Sequence, residues 1–254
     1  MQQISFFFMT LVTLFYSIFG AYANTKANVK FIAHRGYSFR YQENTEEAFT
    51  GAAKHGSAGA ETDIRVTSDG VLVCSHNSDV VFSDGSTMEI ADHTYEELTQ
   101  KPLRNFKSFK KLYLCTFERY LEIMKENGMI CFIEFKGEFS DENIIKAFDM
   151  AREIYDLSKC PLQSVEISNL IRAKELFPEL PVMLTCDEPD ETVQQAFELG
   201  YAIDMDLNGL TKEVVEQFHG AGLEVGAWTA NTRANVSYCL SLGVDYIESD
   251  IYAK

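Results

Sequence analysis

The sequence predicts an α/β fold of the TIM-barrel type, in which eight parallel strands form a closed ring inside a layer of helices. Short apolar runs alternate with segments that carry apolar residues at helical spacing, and this alternation favours parallel βα units over hairpins. Eight such units can be counted. A chain of 254 residues has the length that a single barrel of this kind needs, which is about 250 residues.

The first 23 residues are predicted to be a signal peptide. They contain no charged side chain, run apolar from residue 4 to residue 19, and end in the small-x-small pattern Ala21-Tyr22-Ala23. The apolar run is short for a membrane span of about 20 residues, which favours cleavage over an uncleaved anchor. The basic residue usual near the start is missing. We expect residues 24–254 to form the barrel, in a secreted or periplasmic protein.

Eight strands are predicted in chain order from apolar runs bounded by turn residues. The second strand is counted together with an extension that follows the turn Thr67-Ser68-Asp69-Gly70. The predicted strands are Val29 to Ala33, Ala60 to Thr67 with its extension Val71 to Ser75, Met129 to Phe135, Ser164 to Ile167, Pro181 to Thr185, Tyr201 to Met205, Glu224 to Trp228, and Asp245 to Glu248.

Helices are predicted between these strands. Asn44 followed by Glu47 is typical of a capping box that opens the first helix. The later helices are predicted at Asn143 to Leu157, Leu170 to Leu176, Glu191 to Leu199, Lys212 to His219, and Asn235 to Leu242. The chain stops just past the last strand, so we expect a truncated or missing eighth helix. Residues 77 to about 115 do not fit the alternation and are predicted to form a small insertion after the second strand.

The charge of the chain limits its partners. A formal net charge of −16 disfavours nucleic acid and anionic lipid, because like charges repel. One stretch is an exception, with Phe106 and Phe109 interleaved among the basic residues Lys101, Arg104, Lys107, Lys110 and Lys111. Two interpretations of it stay open: a solvated amphipathic edge, or a lip that steers an anionic substrate.

The six cysteines stand singly, without a CxxC pair. This spacing argues against a zinc site or a redox motif. Cys74, Cys131 and Cys186 fall within or at the ends of apolar strands, and we expect them to be buried thiols rather than parts of a disulfide framework.

The residues that suggest chemistry lie close together at predicted strand ends. His34 and Arg35 follow the first strand, and His76 follows the extension of the second. Glu61 and Asp63 are two apart on a strand, so their side chains share one face. This combination suits cleavage of a phosphate ester, which requires neutralisation of charge and a proton for the leaving alkoxide.

Three carboxylates predict a metal site. Glu61, Asp63 and Glu134 lie on or at the ends of apolar strands, where an unpaired charge is costly. Carboxylates at the C-terminal ends of barrel strands are usually functional. A ligand set of oxygens alone favours Ca²⁺ or Mg²⁺ over zinc. The competing interpretation is that Glu61 and Asp63 face solvent or pair with Arg65.

His34 and His76 are the predicted general acid and base, because imidazole has a pKa of about 6.5 and serves either role near neutrality. Their individual roles stay open. Arg35 is predicted to clamp the phosphate, since its fork matches two phosphoryl oxygens. Its alternative is a salt bridge with Glu43, a residue that could also orient it.

Lys136 and three further histidines complete the set of candidate residues. Lys136 shares the face of Glu134, so it could contact phosphate or pair with that carboxylate. His55, His93 and His219 lie outside the motifs and are predicted to be surface residues.

The motifs of this chain resemble those of the glycerophosphodiester phosphodiesterases. The matching segments, in order, are His34-Arg35-Gly36, Glu43-Asn44-Thr45, Ala48-Phe49, Gly59-Ala60, Glu61-Thr62-Asp63, Thr67-Ser68-Asp69-Gly70, His76, Glu134-Phe135-Lys136, Trp228-Thr229-Ala230-Asn231 and Ser249-Asp250. The resemblance implies that Glu61, Asp63 and Glu134 hold a divalent ion and that Trp228 forms a wall for the glycerol moiety; the alternative for Trp228 is a core aromatic. The chain departs from the family pattern at Asn77, where Asp is common, and at Gln42, where Pro is frequent.

The resemblance implies metal-dependent hydrolysis of a glycerophosphodiester to sn-glycerol 3-phosphate and an alcohol. A second interpretation keeps the barrel but changes the reaction, either to a lysophospholipid substrate or to cyclisation of the phosphate, as in phospholipase-D-like toxins that share these motifs. A third is a catalytically inactive, secreted binding barrel, for which Asn77 is the only indication.

Overall fold

The computed structural model describes residues 29–253 and contains a closed barrel of eight parallel strands. The predicted signal peptide lies outside the described residues. In chain order the strands are β1 (Lys30–Ala33), β2 (Gly59–Val66), β3 (Leu72–Cys74), β4 (Asp79–Val81), β5 (Thr87–Glu89), β6 (Ile130–Phe135), β7 (Leu162–Ser164), β8 (Val182–Cys186), β9 (Ala202–Asp206), β10 (Val225–Trp228) and β11 (Tyr246–Ser249). Strands β1, β2 and β6 to β11 form the ring, and it closes because β1 pairs with both β2 and β11. The TIM-barrel prediction is therefore confirmed.

Helices cover the outside of this ring. They are α1 (Glu46–His55), α2 (Tyr95–Leu98), α3 (Phe117–Asn127), α4 (Asp141–Ile154), α5 (Ile167–Leu176), α6 (Glu191–Leu199), α7 (Lys212–Gly220) and α8 (Arg233–Leu242). All but α5 begin after a Ser, Thr or Asp whose side chain accepts a hydrogen bond from a backbone N–H of the first turn, which satisfies one of the free donors there. Within residues 29–253 no helix follows β11, as expected.

Two predicted boundaries are wrong for physical reasons. The strand expected at Ser164 to Ile167 is β7, which ends at Ser164, and Ile167 already begins α5. Val165, which extended the apolar run, is half exposed beyond the barrel. The first helix is capped by Thr45, whose hydroxyl accepts from the N–H of Ala48, and not by Asn44.

The extension of the second strand is a separate strand that runs backwards. β3 pairs with β2 in antiparallel register, Ile64 opposite Cys74. The turn between them is held by Thr67, whose hydroxyl donates to Asp69 Oδ1 at 2.5 Å. Because the chain turns back, Ser75 reaches the carbonyl of Asp63 at 2.9 Å. The hairpin therefore delivers the following residue, His76, to the mouth of the barrel.

The inside of the barrel is apolar at one end and polar at the other. Ile32, Phe132, Met183 and Tyr246 pack together as a plug near the N-terminal ends of the strands. The next inward-facing position on β2, β7, β9 and β11 is polar in each strand, and these buried residues are Glu61, Gln163, Asp204 and Glu248. Because side chains alternate across a strand, the chemistry-bearing groups collect at the C-terminal end.

The segment between β3 and α3 forms a small unit beside the mouth. It contains the hairpin β4–β5, a one-turn 3-10 helix and α2, packed around its own apolar cluster of Val73, Val80, Phe82, Ile90, Leu98 and Leu114. This unit corresponds to the small insertion that was expected at residues 77 to about 115.

All six cysteines are free thiols. Cys74 and Cys131 are buried as expected, and Cys186 is partly exposed. None of the helices described for residues 29–253 combines the length and the apolar character that a membrane span requires.

Candidate active site

Three carboxylates meet at the C-terminal end of the barrel. Asp63 on β2 lies in register with Glu134 on β6, and Glu61 is one inward-facing position below Asp63. All three are buried, and each offers an oxygen within 4.8 Å of the others. The structure thus brings together the predicted metal ligands.

Glu61 lacks enough positive charge around it. Its Oε2 accepts the backbone N–H of Arg35 at 2.7 Å, but its buried Oε1 has no hydrogen-bond partner within residues 29–253. Burial, followed by the charge of Asp63, holds the pKa of Glu61 well above its usual range. A cation bound at Oε1 supplies the missing charge, so the residues present fit a divalent ion.

The other two carboxylates share the ammonium group of Lys136. Its Nζ lies 3.0 Å from Asp63 Oδ1 and 2.8 Å from Glu134 Oε2. Burial raises the pKa of Asp63, but Lys136 and Arg35 outweigh burial, and the pKa is lowered overall. Burial raises the pKa of Glu134 despite Lys136. The pairing of Lys136 with Glu134 is observed, and its contact with phosphate stays a prediction.

Asn44 fixes Asp63 from the opposite side. Its Nδ2 donates to Asp63 Oδ2 at 2.7 Å, while its Oδ1 accepts the hydroxyl of Thr62 at 2.8 Å. Asn44 has a φ of 53°, in the left-handed region that Asn tolerates better than most residues. The position read from the sequence as a helix cap is therefore a support for the carboxylate.

The His34-Arg35-Gly36 segment is a tight turn that points Arg35 across the mouth. Arg35 has a φ of 56° and Gly36 a φ of 77°. A Cβ at Gly36 would lie 2.6 Å from the backbone of Ala48, so only glycine fits there. The guanidinium of Arg35 donates to Glu43 Oε1 at 3.2 Å, and its buried Nε lies 3.5 Å from Asp63 Oδ2.

His34 is held by Asp250, a residue that the sequence analysis did not select for the site. The ring Nδ1 of His34 lies 2.8 Å from Asp250 Oδ1, and Asp250 also accepts from Ser38 at 3.0 Å and from Asn231 at 2.6 Å. Burial lowers the pKa of His34, but the hydrogen bond to Asp250 and the charge of Glu248 outweigh burial, so the pKa is raised. A proton on Nδ1 leaves Nε2 free to face the carboxylates.

His76 reaches the site from the hairpin end. Its Nδ1 lies 3.0 Å from the amide oxygen of Asn77, so Asn77 takes the orienting position with a neutral group. Arg65 donates to the carbonyl of His76 through Nε at 3.1 Å and through an NH₂ group at 2.6 Å. Arg65 therefore secures the loop that carries His76 instead of making a salt bridge with Glu61 or Asp63.

A comparison with models of protein families identifies the family of this chain. The model of the family described as "Glycerophosphoryl diester phosphodiesterase family" matches residues 34–253, which is most of the chain. The protein belongs to the glycerophosphoryl diester phosphodiesterase family. It is an enzyme of the class that this family represents, a hydrolase of phosphoric diesters.

Curated relatives match this chain over nearly its full length in one case and over less than half of it in another. A glycerophosphodiester phosphodiesterase of Bacillus altitudinis is 28% identical over 232 residues, which span 87% of this chain and 94% of that relative. Human glycerophosphodiester phosphodiesterase 1 is 41% identical over 110 residues, 42% of this chain and 33% of that protein.

Solved structures share the barrel at low sequence identity. A phosphodiesterase of Oleispira antarctica, solved with the product sn-glycerol-3-phosphate, is 21% identical with a TM-score of 0.78, covering 89% of this chain and 94% of that one. A glycerophosphodiester phosphodiesterase of Parabacteroides distasonis is 24% identical with a TM-score of 0.74, covering 88% and 93%.

Two further buried acids, Asp204 and Glu248, lie in the same ring of inward-facing positions as Glu61. The amide of Gln163 donates to Asp204 Oδ2 at 2.8 Å and to Glu248 Oε1 at 2.9 Å. A Cβ at Gly226 would lie 2.3 Å from Asp204 Oδ1, so a glycine is needed beside this carboxyl. A faint signal for these two acids is present in the sequence, since each is a charged residue within an apolar strand.

Replacing Asp204 by Asn is expected to stabilise the metal-free protein at alkaline pH. Burial raises the pKa of Asp204 to about 7, above an unfolded value of about 3.9. The folded state therefore holds the proton more strongly, and its contribution to stability is lost as pH rises from about 4 to 7. Thermal unfolding in EDTA is expected to show a higher midpoint for Asp204→Asn at pH 8 and little difference at pH 4. An equal difference at both pH values contradicts this assignment.

Two clefts open at the C-terminal end and share Gln42 and Glu43 on their walls. Lys136 and Trp228 line neither cleft. Trp228 is partly buried, with its indole N–H donating to the carbonyl of Asp204 at 3.2 Å, so its role as a wall for glycerol stays a prediction.

The remaining histidines lie outside these clefts. His55 stacks on Tyr37 with ring centroids 4.0 Å apart, and His219 pairs with Asp245 at 2.9 Å. His93 contacts the carbonyl of Glu89 within the insertion.

Proposed function

We propose that this enzyme hydrolyses glycerophosphodiesters to sn-glycerol 3-phosphate and an alcohol, with one divalent cation and two histidines. The observation that carries the proposal is the buried triad of Glu61, Asp63 and Glu134, which leaves one oxygen of Glu61 without a partner. The product complex of the Oleispira antarctica phosphodiesterase, which shares the fold, supports the choice of product.

The triad is proposed to hold the cation, either Ca²⁺ or Mg²⁺. When bound, the ion neutralises the phosphate and the charge that develops on the oxygens around phosphorus. The donor set consists of carboxylate oxygens alone, which suits a hard cation. Arg35 in the same mouth is proposed to bind two phosphoryl oxygens, because its planar fork matches them, while its Nε lies 3.5 Å from Asp63 Oδ2. Glu43 orients the guanidinium from the outer side.

His34 and His76 are proposed to move the protons. One histidine takes the proton of the attacking oxygen, which belongs to water or to a neighbouring glycerol hydroxyl, and the other protonates the departing alkoxide. His34 offers a ring nitrogen within 4.8 Å of an oxygen of Glu61, and His76 directly follows Ser75, whose N–H donates to the carbonyl of Asp63 at 2.9 Å. Each ring has an orienting oxygen at Nδ1, which leaves both Nε2 atoms available.

Product analysis tests the reaction directly. Purified enzyme is given a panel of glycerophosphodiesters with different alcohol groups, and a coupled assay detects glycerol 3-phosphate. Formation of this product supports the proposal. Accumulation of a cyclic phosphate, or release of choline from a lipid with its acyl chain intact, identifies the phosphate-cyclising or lysophospholipase-D-like reaction. Binding of the diesters without turnover identifies an inactive binding barrel.

Asp250→Asn is expected to lower turnover by about 10-fold to 100-fold, the usual effect of a group that orients a functional histidine. Asp250 keeps the pKa of His34 raised, so the pH-rate limb assigned to His34 should move to lower pH in the variant. The direction is the same whether His34 is the acid or the base. A pH profile separates this effect from a general loss of structure, and an unmoved limb contradicts the role of Asp250.

A further inference from the structure

A loop beside the mouth carries an unusual combination of exposed aromatic and basic side chains. The loop comprises residues 104–111 and is closed at its base by the N–H of Leu103, which donates to the carbonyl of Leu112 at 2.8 Å. Phe109 is fully exposed and Phe106 is 83% exposed. Exposed aromatic residues of this size, close together, mark an interaction site more often than chance.

Hydrogen bonds within the loop stabilise its conformation. The side chain of Asn105 accepts from the N–H of Lys107 at 2.9 Å and donates to the hydroxyl of Ser108 at 2.9 Å. These bonds lie within the segment that carries Phe106 and Phe109. The two exposed aromatic side chains are therefore carried by a hydrogen-bonded loop.

The charges of the loop are only partly neutralised. Lys110 pairs with Glu47, and Lys101 at the foot of the loop pairs with Asp84. Within residues 29–253 no carboxylate forms an ion pair with Arg104, Lys107 or Lys111. Three basic side chains without a carboxylate partner among the described residues thus lie in a loop with two exposed phenylalanines, on a protein whose net charge is −16. The guanidinium of Arg104 lies 5.3 Å from the centre of the Phe106 ring.

The loop also forms part of the active-site mouth. Arg104 and Phe106 line the cleft that contains His76, and Lys107 lines the cleft that contains His34. Lys107 reaches the carbonyl of Phe39 at 3.2 Å, which joins the loop to the segment after His34. A surface that binds the loop tip therefore lies directly against the opening of both clefts.

We propose that the loop of residues 104–111 docks this enzyme onto an anionic phospholipid bilayer, with the active-site mouth facing the headgroups. Aromatic side chains enter the interface and basic side chains pair with anionic lipid. The acidic remainder of the protein does not prevent this contact, because charges are screened over about 8 to 10 Å in salt and the loop tip is nearest the surface. The inference rests on the proposed function, because the docking places the mouth of a phosphodiesterase against the phosphodiester headgroups of the membrane.

Vesicle sedimentation tests the docking without relying on catalysis. The full chain is incubated with vesicles of phosphatidylcholine alone, or with about one third phosphatidylglycerol. We expect binding to the anionic vesicles that weakens as salt rises. Phe109→Ser is expected to weaken it by about tenfold, since burial of a Phe side chain is lost, and Lys111→Glu by at least about fivefold, the effect of one basic residue near an anionic surface.

Matched controls lie at the other end of the barrel. Leu199→Ser removes an exposed apolar side chain and Lys54→Glu reverses an exposed basic one, and neither should change vesicle binding. Hydrolysis of water-soluble glycerophosphocholine is measured in parallel and should be unchanged in Phe109→Ser, so failure of docking is distinguished from failure of the proposed function. Binding that is equal on both kinds of vesicle, absent from both, or unchanged in the loop variants overturns the docking proposal.

Discussion

His34→Ala and His76→Ala are each expected to lower turnover by about 10² to 10⁴-fold, the usual range for a general acid or base. Each ring is held through its Nδ1, His34 by Asp250 at 2.8 Å and His76 by Asn77 at 3.0 Å. Their Nε2 atoms are therefore fixed in direction, and each substitution removes one of the two proposed proton-transfer groups. Steady-state kinetics on a glycerophosphodiester at several pH values measures the loss.

The control for these variants is His219→Ala. His219 is exposed and pairs with Asp245, just before β11, at the N-terminal end of the barrel, so its removal should leave turnover unchanged. The double variant of His34 and His76 is expected to lose little more than the worse single variant, because groups that act in one transition state are not additive. Full activity in either single variant rules out its role in proton transfer.

The barrel could be predicted because local patterns determine it. The apolar runs that became β1, β6, β8 and β11 were placed within one or two residues, since each is bounded by turn residues or a capped helix. The carboxylate pair was also accessible, because Glu61 and Asp63 sit two apart on one strand. Their registration with Glu134 on the neighbouring β6 follows from the order of the strands in the ring.

The support of the site could not be predicted because it depends on contacts between distant parts of the chain. Asp250 lies 216 positions from His34 and meets it only when β11 closes against β1. Asn44 looked like a helix cap, and its contact with Asp63 appears only once the first turn is packed on β2. The reversal at β3 was also hidden, since an apolar run after a Gly turn fits either an extension or a hairpin.

The buried charge beneath the mouth was hidden for a related reason. Asp204 and Glu248 each stand within a short apolar strand, where one charged residue is compatible with an outward position. Only the closed ring shows that both point inward and share Gln163. Of the two, Glu248 adds its charge to those of Asp63 and Glu134 around Glu61, a contribution that the motifs do not indicate.

Removal of divalent metal by EDTA is expected to abolish turnover, by about 10²-fold or more, and either Ca²⁺ or Mg²⁺ should restore it. Without the ion, one oxygen of Glu61 has no hydrogen-bond partner within residues 29–253, and the neighbouring charge of Asp63 is not offset there. Coupled detection of glycerol 3-phosphate, before and after chelation, measures the loss, and calorimetry measures ion binding independently of turnover.

Glu61→Gln separates loss of the ion from loss of the fold. The amide keeps the size of the side chain and can still accept the N–H of Arg35, but it removes one negative ligand, so calorimetry should show weaker ion binding and kinetics a higher requirement for metal. Asp204→Asn is the matched control, because it also neutralises a buried acid, yet Asp204 lies outside the group of three that can reach one ion. Activity that is indifferent to EDTA, together with normal turnover in Glu61→Gln, excludes a metal at this triad.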